Sequence, residues 1–449
     1  MSGRIEAGER LSSIRGLADS LGVGKNTVSL AYEQLSAEGY ILSRKRSGCY
    51  VQDLDNQGGE FRETPCPVRP DRDQGPAVPE YRYDFRYGRI NPRDFPLSLW
   101  RKLSGRVFSR SNLGNIVSYP DPQGEIGLRK AIMGYLNTAR GVVCRPEQVV
   151  ICSGIHQSLN LICWLLKDDY PRIAVEDPGD DRVRAIFENN GMEIIPIGLE
   201  EGGIRMDALD KSRTGLVYLT PSRQFPMGGV MPIQKRIRLL DWARRTGAVI
   251  VEDDSDSEFR YCGRPVPSIQ HIDAKGRVIY MGSFSKTLAP SLRMSYMVIS
   301  GAMMTTYKKV FNRYNTFVPW AEQKIVENFI QGGDWERHIR RVRLANKKRH
   351  DTLVKALGTA MGEKVKIHGL HAGLHLVLEF STLGCEAGLI DRARDKGVGI
   401  SPVSRYWFRK DQYQNNMVVV GYSGLDELDI INGVDRLHDA WFTSFLPRG

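Results

Sequence analysis

The sequence predicts a multidomain chain: a small winged helix-turn-helix, then a large α/β unit with a mostly parallel sheet, then a C-terminal α+β subdomain. Three observations predict it. The 449 residues are too many for one ordinary core. Over residues 149–299, apolar strand-like runs alternate with amphipathic helical segments, the pattern of a sheet covered on both faces. Between the two parts, residues 53–80 carry Gly58, Gly59, Pro65, Pro67, Pro70, Gly75, Pro76 and Pro79 with few apolar residues, and so bury too little to offset the entropy of ordering. The expected boundaries are 1–52 for the winged domain, 53–80 for a linker, 81–335 for the large domain and 336–449 for the small C-terminal subdomain.

Composition removes several classes. With 41% hydrophobic and 26% charged residues, the chain is neither disordered, collagen-like nor a coiled coil. The longest strongly apolar run, Leu161–Leu166, is far too short to span a bilayer. A mixed charged stretch follows Met1 in place of an apolar signal segment. Seven cysteines without C-x-x-C spacing read as reduced thiols, with no disulfide and no metal site expected and a cytoplasmic location implied. The net charge of +11 permits nucleic-acid binding without showing it.

In the first part, Ser13 is placed to cap a short helix with Ile14, Leu17, Ala18 and Leu21 on one face. Gly22 stops it and Val23 packs in the turn. A second helix starts near Lys25 and Asn26, with Val28, Ala31, Tyr32 and Leu35 as its apolar stripe and Gly39 at its end. Two short strands, 40–43 and 49–51, flank the basic tip Arg44, Lys45 and Arg46. Helix, turn, helix and basic hairpin make a winged helix-turn-helix pattern. Lys25, Asn26 and Thr27 would face the DNA groove, and the tip would meet backbone phosphates. A small helical dimerisation module with a solvated loop is the other reading.

In the large part, strands are expected at 149–152, 173–175, 193–197, 215–219, 248–251, 278–281 and 296–299. Helices are expected between them at 157–166, 181–189 and 232–245. Ligands of such sheets bind at the carboxyl ends of the strands. A long basic helix at 335–361 then leads into strands at 374–379 and 417–422. Its run of Arg337, Arg340, Arg341, Arg343, Lys347, Lys348 and Arg349 reads mainly as a solvated face, with contact to wrapped DNA as the second reading.

The polar motifs fall at strand ends. Ser283-Phe284-Ser285-Lys286-Thr287 offers a lysine that, once it loses its proton, forms a Schiff base with an aldehyde cofactor. Ser283, Ser285 and Arg293 can hold a phosphate. A surface lysine in a serine-rich loop is the bland alternative. In Glu252-Asp253-Asp254, one carboxylate can pair with a protonated pyridine nitrogen, and Mg²⁺ binding by clustered acids is the rival. Ser153-Gly154-Ile155-His156 opens a helix whose amides can bind a phosphate. Together the three make one pyridoxal phosphate site.

Residues 10–51 (RLSSIRGLADSLGVGKNTVSLAYEQLSAEGYILSRKRSGCYV) resemble the DNA-binding domain of GntR-type regulators. With FPLSLWRK (95–102), YPDPQGEIGLRKAI (119–132), ARGVVCRPEQVVICSGIHQSLNL (139–161), VEDPG (175–179), TPSRQFPMGG (220–229), VEDDSDSEFRY (251–261) and GSFSKTLAPSLRMSY (282–296), the chain resembles the MocR/GabR subfamily. There a winged domain is fused to an aminotransferase-like domain of PLP-dependent fold type I. The resemblance implies Lys286 as the cofactor-bonding lysine and Asp253 as partner of the pyridine nitrogen. It places Ser283, Ser285, Arg293 and the Gly154–His156 helix start at the phosphate. It also implies that Tyr119 reaches the phosphate of a neighbouring subunit in a head-to-tail homodimer. A further helix before Gly3 is usual in the family, and the nine residues before Arg10 lead us to expect a winged domain without it.

Four departures matter. Ser255 stands where a tyrosine bonds the cofactor's phenolic oxygen. Asp180 replaces an aromatic beside the ring and is placed to repel an anionic ligand, while Arg182 remains available for a carboxylate. Arg223 replaces a histidine and is expected in the pocket. The strand at 417–421 lacks the arginine that clamps a substrate α-carboxylate, with Asn416 or Met417 in its place. These swaps argue against efficient amino-acid transamination. They favour a ligand-responsive transcription regulator that binds operator DNA and senses an amino acid, an amine or the cofactor itself. A specialised aminotransferase, lyase or racemase with a vestigial winged appendage is the alternative reading, and a cofactor-free scaffold ranks last.

Overall fold

The computed structural model describes residues 5–53, 80–262, 266–311, 313–381 and 384–443. The chain divides into two compact units, Met1–Val78 and Pro79–Gly449. Nearly all of the expected linker, residues 54–79, lies outside the described residues.

The first unit is two helices and a hairpin. The helix Ile14–Leu21 is capped by the Ser13 hydroxyl, which accepts from Gly16 N, and ends at Gly22 in the left-handed region. The helix Lys25–Ala37 follows. Strands Ile41–Arg44 and Gly48–Val51 pair antiparallel, and a bridge between Arg10 and Tyr50 adds a third strand's contact. The core is small: Ala18, Val28, Tyr32 and Ile41, flanked by Leu11, Leu17, Leu35 and Cys49. Tyr32 donates to Ser12 O at 2.9 Å. The expected apolar stripes are only half used. Ile14, Leu21 and Val23 are exposed, as is Ala31, because two helices and a hairpin cover one side of each helix.

The second unit is built on an eight-stranded sheet. In spatial order its strands are Val149–Cys152, Ser295–Val298, Val278–Ser283, Val249–Asp253, Leu216–Leu219, Arg172–Asp177, Glu193–Glu200 and Gly203–Ile204. Ser295–Val298 runs antiparallel to both neighbours and Gly203–Ile204 folds back as a hairpin, whereas the central pairs are parallel. Helices Gly154–Leu166 and Asp181–Asn189 pack on one face with Val150, Val175, Tyr218, Val251 and Ile279. Helix Ile233–Thr246 packs on the other face with Val217, Leu219 and Ile250. Alternate residues of each strand thus enter different cores. A four-stranded antiparallel sheet, in the order Val365–His368, His375–Phe380, Met417–Gly421 and Ser401–Pro402, makes the C-terminal subdomain with the helix Asp334–Met361.

Two expectations change. Strand Tyr83–Asp84 pairs in parallel with Val398–Gly399, and Phe85 is fully buried among Leu353, Leu376, Val418 and Trp441. The first residues of the second unit therefore complete the C-terminal core rather than the large domain assigned to 81–335. The basic helix is also not simply solvated. Arg349 makes a buried ion pair with Asp94 at 2.6 Å, and Arg341 donates to Asp94 O at 2.8 Å. Arg337 pairs with Asp334 and Lys347 with Asp351 on the exposed side.

Candidate functional site

The carboxyl ends of the parallel strands carry the chemistry. Strand Val278–Ser283 delivers Lys286 three residues past its end, and the neighbouring strand Val249–Asp253 ends at the acid. With Asp180, Tyr218, Thr220, Phe225, Ser255 and Asp256, Lys286 and Asp253 line a cavity of about 400 Å³ of atom-free space.

Each of the three expected acids has its own partners. Glu252 accepts from Ile269 N and Gln270 N. Asp254 holds Arg140 through two bonds, 2.6 and 3.1 Å, and accepts from Tyr280. Only Asp253 faces the cavity. Its carboxylate accepts from Tyr218 Oη at 2.6 Å and from Ser255 N at 3.0 Å. Burial pushes its carboxyl above the ordinary range, against the pull of Ser255, Tyr218 and the Lys286 charge. The divergent partners do not suit a shared Mg²⁺.

At the other end, the helix Gly154–Leu166 opens with Gly154 at φ 76°. A side chain there would meet the Arg293 guanidinium at 2.7 Å, so only glycine leaves room for that arginine across the helix start. Burial and the nearby Arg293 hold His156 below its usual value. Ser283 Oγ accepts from Ser285 N at 3.1 Å. Arg293 thus lies across the helix start, Ser283 and Ser285 lie on the strand end that leads to Lys286, and the buried acid and the amine line the cavity. That arrangement fits pyridoxal phosphate: an unpartnered cation for the phosphate, and a buried carboxylate lacking a cation that a protonated ring nitrogen would supply.

The remaining assignments shift. The Ser255 hydroxyl lines the cavity and donates to Asp253 Oδ1 at 2.5 Å, so it also supports the acid. Asp180 caps the helix Asp181–Asn189 and clamps Arg182 through bonds of 3.1 and 2.7 Å. The two neutralise each other, and Arg182 is not a free carboxylate site. Arg223 is fully occupied: Nε donates to Ala372 O and Nη2 to His375 O, both at 2.8 Å. It lines the cavity, as expected, and at the same time grips the start of a C-terminal strand. Asn416 Nδ2 turns to Phe380 O. Met417 and Val419 pack with Phe225, Val377 and Tyr406 in an apolar cluster, so no arginine occupies the carboxylate position. Tyr119 is 87% exposed and makes no contact with the cavity of its own chain.

Two residues were missed. Asp256 Oδ1 lies 2.6 Å from Lys286 Nζ. The half-buried Tyr87 ring lies 5.2 Å from the same nitrogen and packs on Phe225 and His375. Asp256 was legible as the last acid of EDDSD, three residues beyond the strand's end. Tyr87 carried no signal, because it comes from a segment nearly 200 residues upstream of Lys286.

The winged unit presents its own surface. Lys25, Asn26 and Thr27 are exposed at the first turn of their helix. Lys45 and Arg46 are exposed at the hairpin tip, while Arg44 lies over the Tyr50 ring at 4.8 Å.

Comparison with known proteins agrees with both units. Residues 1–51 match the family of bacterial regulatory proteins of the gntR type, and residues 93–407 match aminotransferase class I and II. The chain belongs to the MocR/GabR subfamily of GntR-type transcription regulators. It is 39% identical to the HTH-type transcriptional regulator YdeL of Bacillus subtilis, over 98% of this chain and 93% of that one. It is 32% identical to the probable rhizopine catabolism regulatory protein MocR of Rhizobium meliloti, over 98% and 91% of the two chains. Among solved structures it is similar to a kynurenine aminotransferase of Pyrococcus horikoshii in complex with PMP: TM-score 0.73, 25% identity, 82% and 92% of the chains covered. The regulator thus joins a GntR-type DNA-binding domain to an aminotransferase fold. No helix among the described residues is long and apolar enough to cross a membrane.

Proposed function

We propose that the chain is a pyridoxal phosphate-dependent, ligand-responsive transcription regulator, and that its aminotransferase-like unit senses rather than turns over. One observation carries the reading: the site keeps Lys286, Asp253 and the Arg293–Gly154 cradle, while of the two residues expected in place of a carboxylate-clamping arginine, Met417 packs in an apolar cluster and Asn416 turns to Phe380 O. The cofactor, when bound, supplies an electrophilic aldehyde carbon to an amine. Lys286 is the amine, Asp253 holds a proton at the ring nitrogen, and Ser283, Ser285, Arg293 and the amides of Gly154, Ile155 and His156 bind the phosphate. Asp180, paired to Arg182, walls the ring's side.

Arg182 and Arg223 are engaged and Arg293 is assigned to the phosphate, which favours an amine or the cofactor itself as the effector. The response requires only that the effector bind two arrangements of the protein with different affinity. On the DNA side, Lys25, Asn26 and Thr27 read the groove and Arg44, Lys45 and Arg46 hold the backbone. The 87% exposed Tyr119 and 82% exposed Val117 support a homodimer in which Tyr119 reaches the partner's phosphate. Winged domain 1–52, linker 53–80 and effector domain from 81 onward divide the labour.

The test is the visible absorption of the purified protein with added pyridoxal phosphate, beside Lys286→Ala. The parent should gain the band of the lysine-bound cofactor and the variant should not. No band in either sinks the cofactor-dependent reading. Sustained conversion of an amino acid to its oxo acid would move the protein to the enzyme class.

A further inference from the structure

The Lys286 ammonium is not free. Its nitrogen lies 2.6 Å from Asp256 Oδ1, and the other oxygen of that carboxylate lies 3.5 Å from Arg223 Nη1. Arg223 in turn grips the C-terminal subdomain. It donates to Ala372 O and His375 O, and Nη1 meets His375 Nδ1 at 3.1 Å. Since arginine can only donate, Nδ1 accepts, and Nε2–H donates to Pro226 O at 2.9 Å. The imidazole is therefore neutral, as burial and the Arg223 charge also require. Gly373 completes the grip: a side chain there would fall on the Arg223 guanidinium itself. One carboxylate, 9% exposed, is thus shared by the lysine and by the arginine that ties loop 220–229 to strand His375–Phe380.

We infer that Asp256 is a positioning residue, shared between Lys286 and Arg223, that reports the state of the lysine to the C-terminal subdomain. The inference rests on Lys286 being the cofactor-bonding amine. While Lys286 is an ammonium, Asp256 is divided between two cations. To condense with an aldehyde, Lys286 gives up one proton to solvent, its nitrogen forms the C=N bond, and the aldehyde oxygen leaves as water. At most one N–H then remains where there were three. Asp256 loses its nearer partner and closes on Arg223, which tightens the hold on residues 372–375. Burial lowers the Lys286 pKa, but Asp256 and then Tyr87 outweigh it and hold the amine above the usual lysine value. The other charged or titratable groups facing it are Asp253, Asp180, Arg223 and His375.

The test uses the full chain and three variants: Asp256→Asn, Asp256→Glu and Arg223→Lys. The first readout needs no cofactor. Acetylation of Lys286 by a small anhydride, followed by peptide mass, gives the fraction of neutral amine against pH. Asp256→Asn should move the midpoint down by at least one pH unit and speed acetylation at neutral pH about tenfold, with the parent profile restored by Asp256→Glu. Arg223→Lys should leave the profile unchanged. The second readout is hydrogen exchange of the 372–380 amides with and without pyridoxal phosphate. Exchange should slow several-fold on loading in the parent and stay unchanged in Asp256→Asn and Arg223→Lys. An acetylation profile that Asp256→Asn leaves in place, or a loading response that survives both variants, overturns the inference. A parent that takes up no cofactor, yet shows the acetylation shift, overturns the cofactor reading and the relay while the Lys286–Asp256 pair stands.

Discussion

Arg140→Met tests the frame that holds the candidate site. Arg140 donates to Asp254 through Nε and Nη2, and to Ser222 Oγ at 2.8 Å. The two side chains are 8% and 0% exposed. Removing the arginine strands a carboxylate in the interior with the Tyr280 hydroxyl and without its paired cation. Breaking a buried pair in this way costs about 3–5 kcal/mol. With a urea slope of about 3 kcal/mol/M, the unfolding midpoint should fall by roughly 1–1.7 M. Asp254 lies between Asp253 and Ser255 in sequence, so uptake of pyridoxal phosphate should weaken as well. Adding Asp254→Asn to Arg140→Met removes the stranded charge and should recover about half of the lost stability. The assay is urea unfolding followed by circular dichroism on the parent, both single variants and the double variant. A midpoint for Arg140→Met within about 0.2 M of the parent would refute the reasoning. So would a double variant less stable than Arg140→Met alone.

Gly154→Ala should cost about 1–2 kcal/mol for the left-handed backbone and displace Arg293. Losing that charge-assisted bond to a phosphate should weaken cofactor binding about tenfold to a hundredfold by titration of the absorption band. Glu176 accepts from Thr220 N and Oγ1, and burial pushes its carboxyl up to about 7 from 4.5. The folded chain keeps a proton that the unfolded chain loses. This group's stability is full below pH 4.5 and is lost as pH rises to about 7. Thermal midpoints across that window should therefore decline less in Glu176→Gln than in the parent. On the DNA side, Lys45→Ala and Arg46→Ala should each lower the slope of log affinity against log salt by about 0.9 if the residue meets one phosphate. Fluorescence anisotropy on operator DNA at several salt concentrations measures it.

Much of the fold was legible because its signals are local. The strand at 149–152 and the helix at 181–189 coincide with their sequence readings, since a run of apolar β-branched residues and a 3.6-residue stripe each sit within one segment. Lys286, Asp253 and Gly154 were legible as motifs at strand ends. What the sequence hid were partnerships across distance. Arg223 and His375 are 152 positions apart, and nothing at position 223 says that its guanidinium is consumed there. Arg182 looked available because the bidentate pull of Asp180, two residues away, depends on a cap geometry. Arg349 looked solvated because its partner, Asp94, is 255 positions upstream. Charge on a helix shows which residues need partners and leaves open where they come from.

The early strand Tyr83–Asp84 has a bearing on how the chain is made. Phe85 belongs to a core whose other members run from Leu353 to Trp441. Synthesis proceeds from the amino end, so Phe85 emerges some 270 residues before the first of those partners. Through that interval the large sheet can form, but this segment has nothing to pair with. Its partner Val398–Gly399 and the wall of Val418 and Val420 arrive more than 300 residues later. The piece of chain that carries Tyr87 to Lys286 is thus among the last to settle. The pocket is finished only after the strands around residues 398–420 have been made.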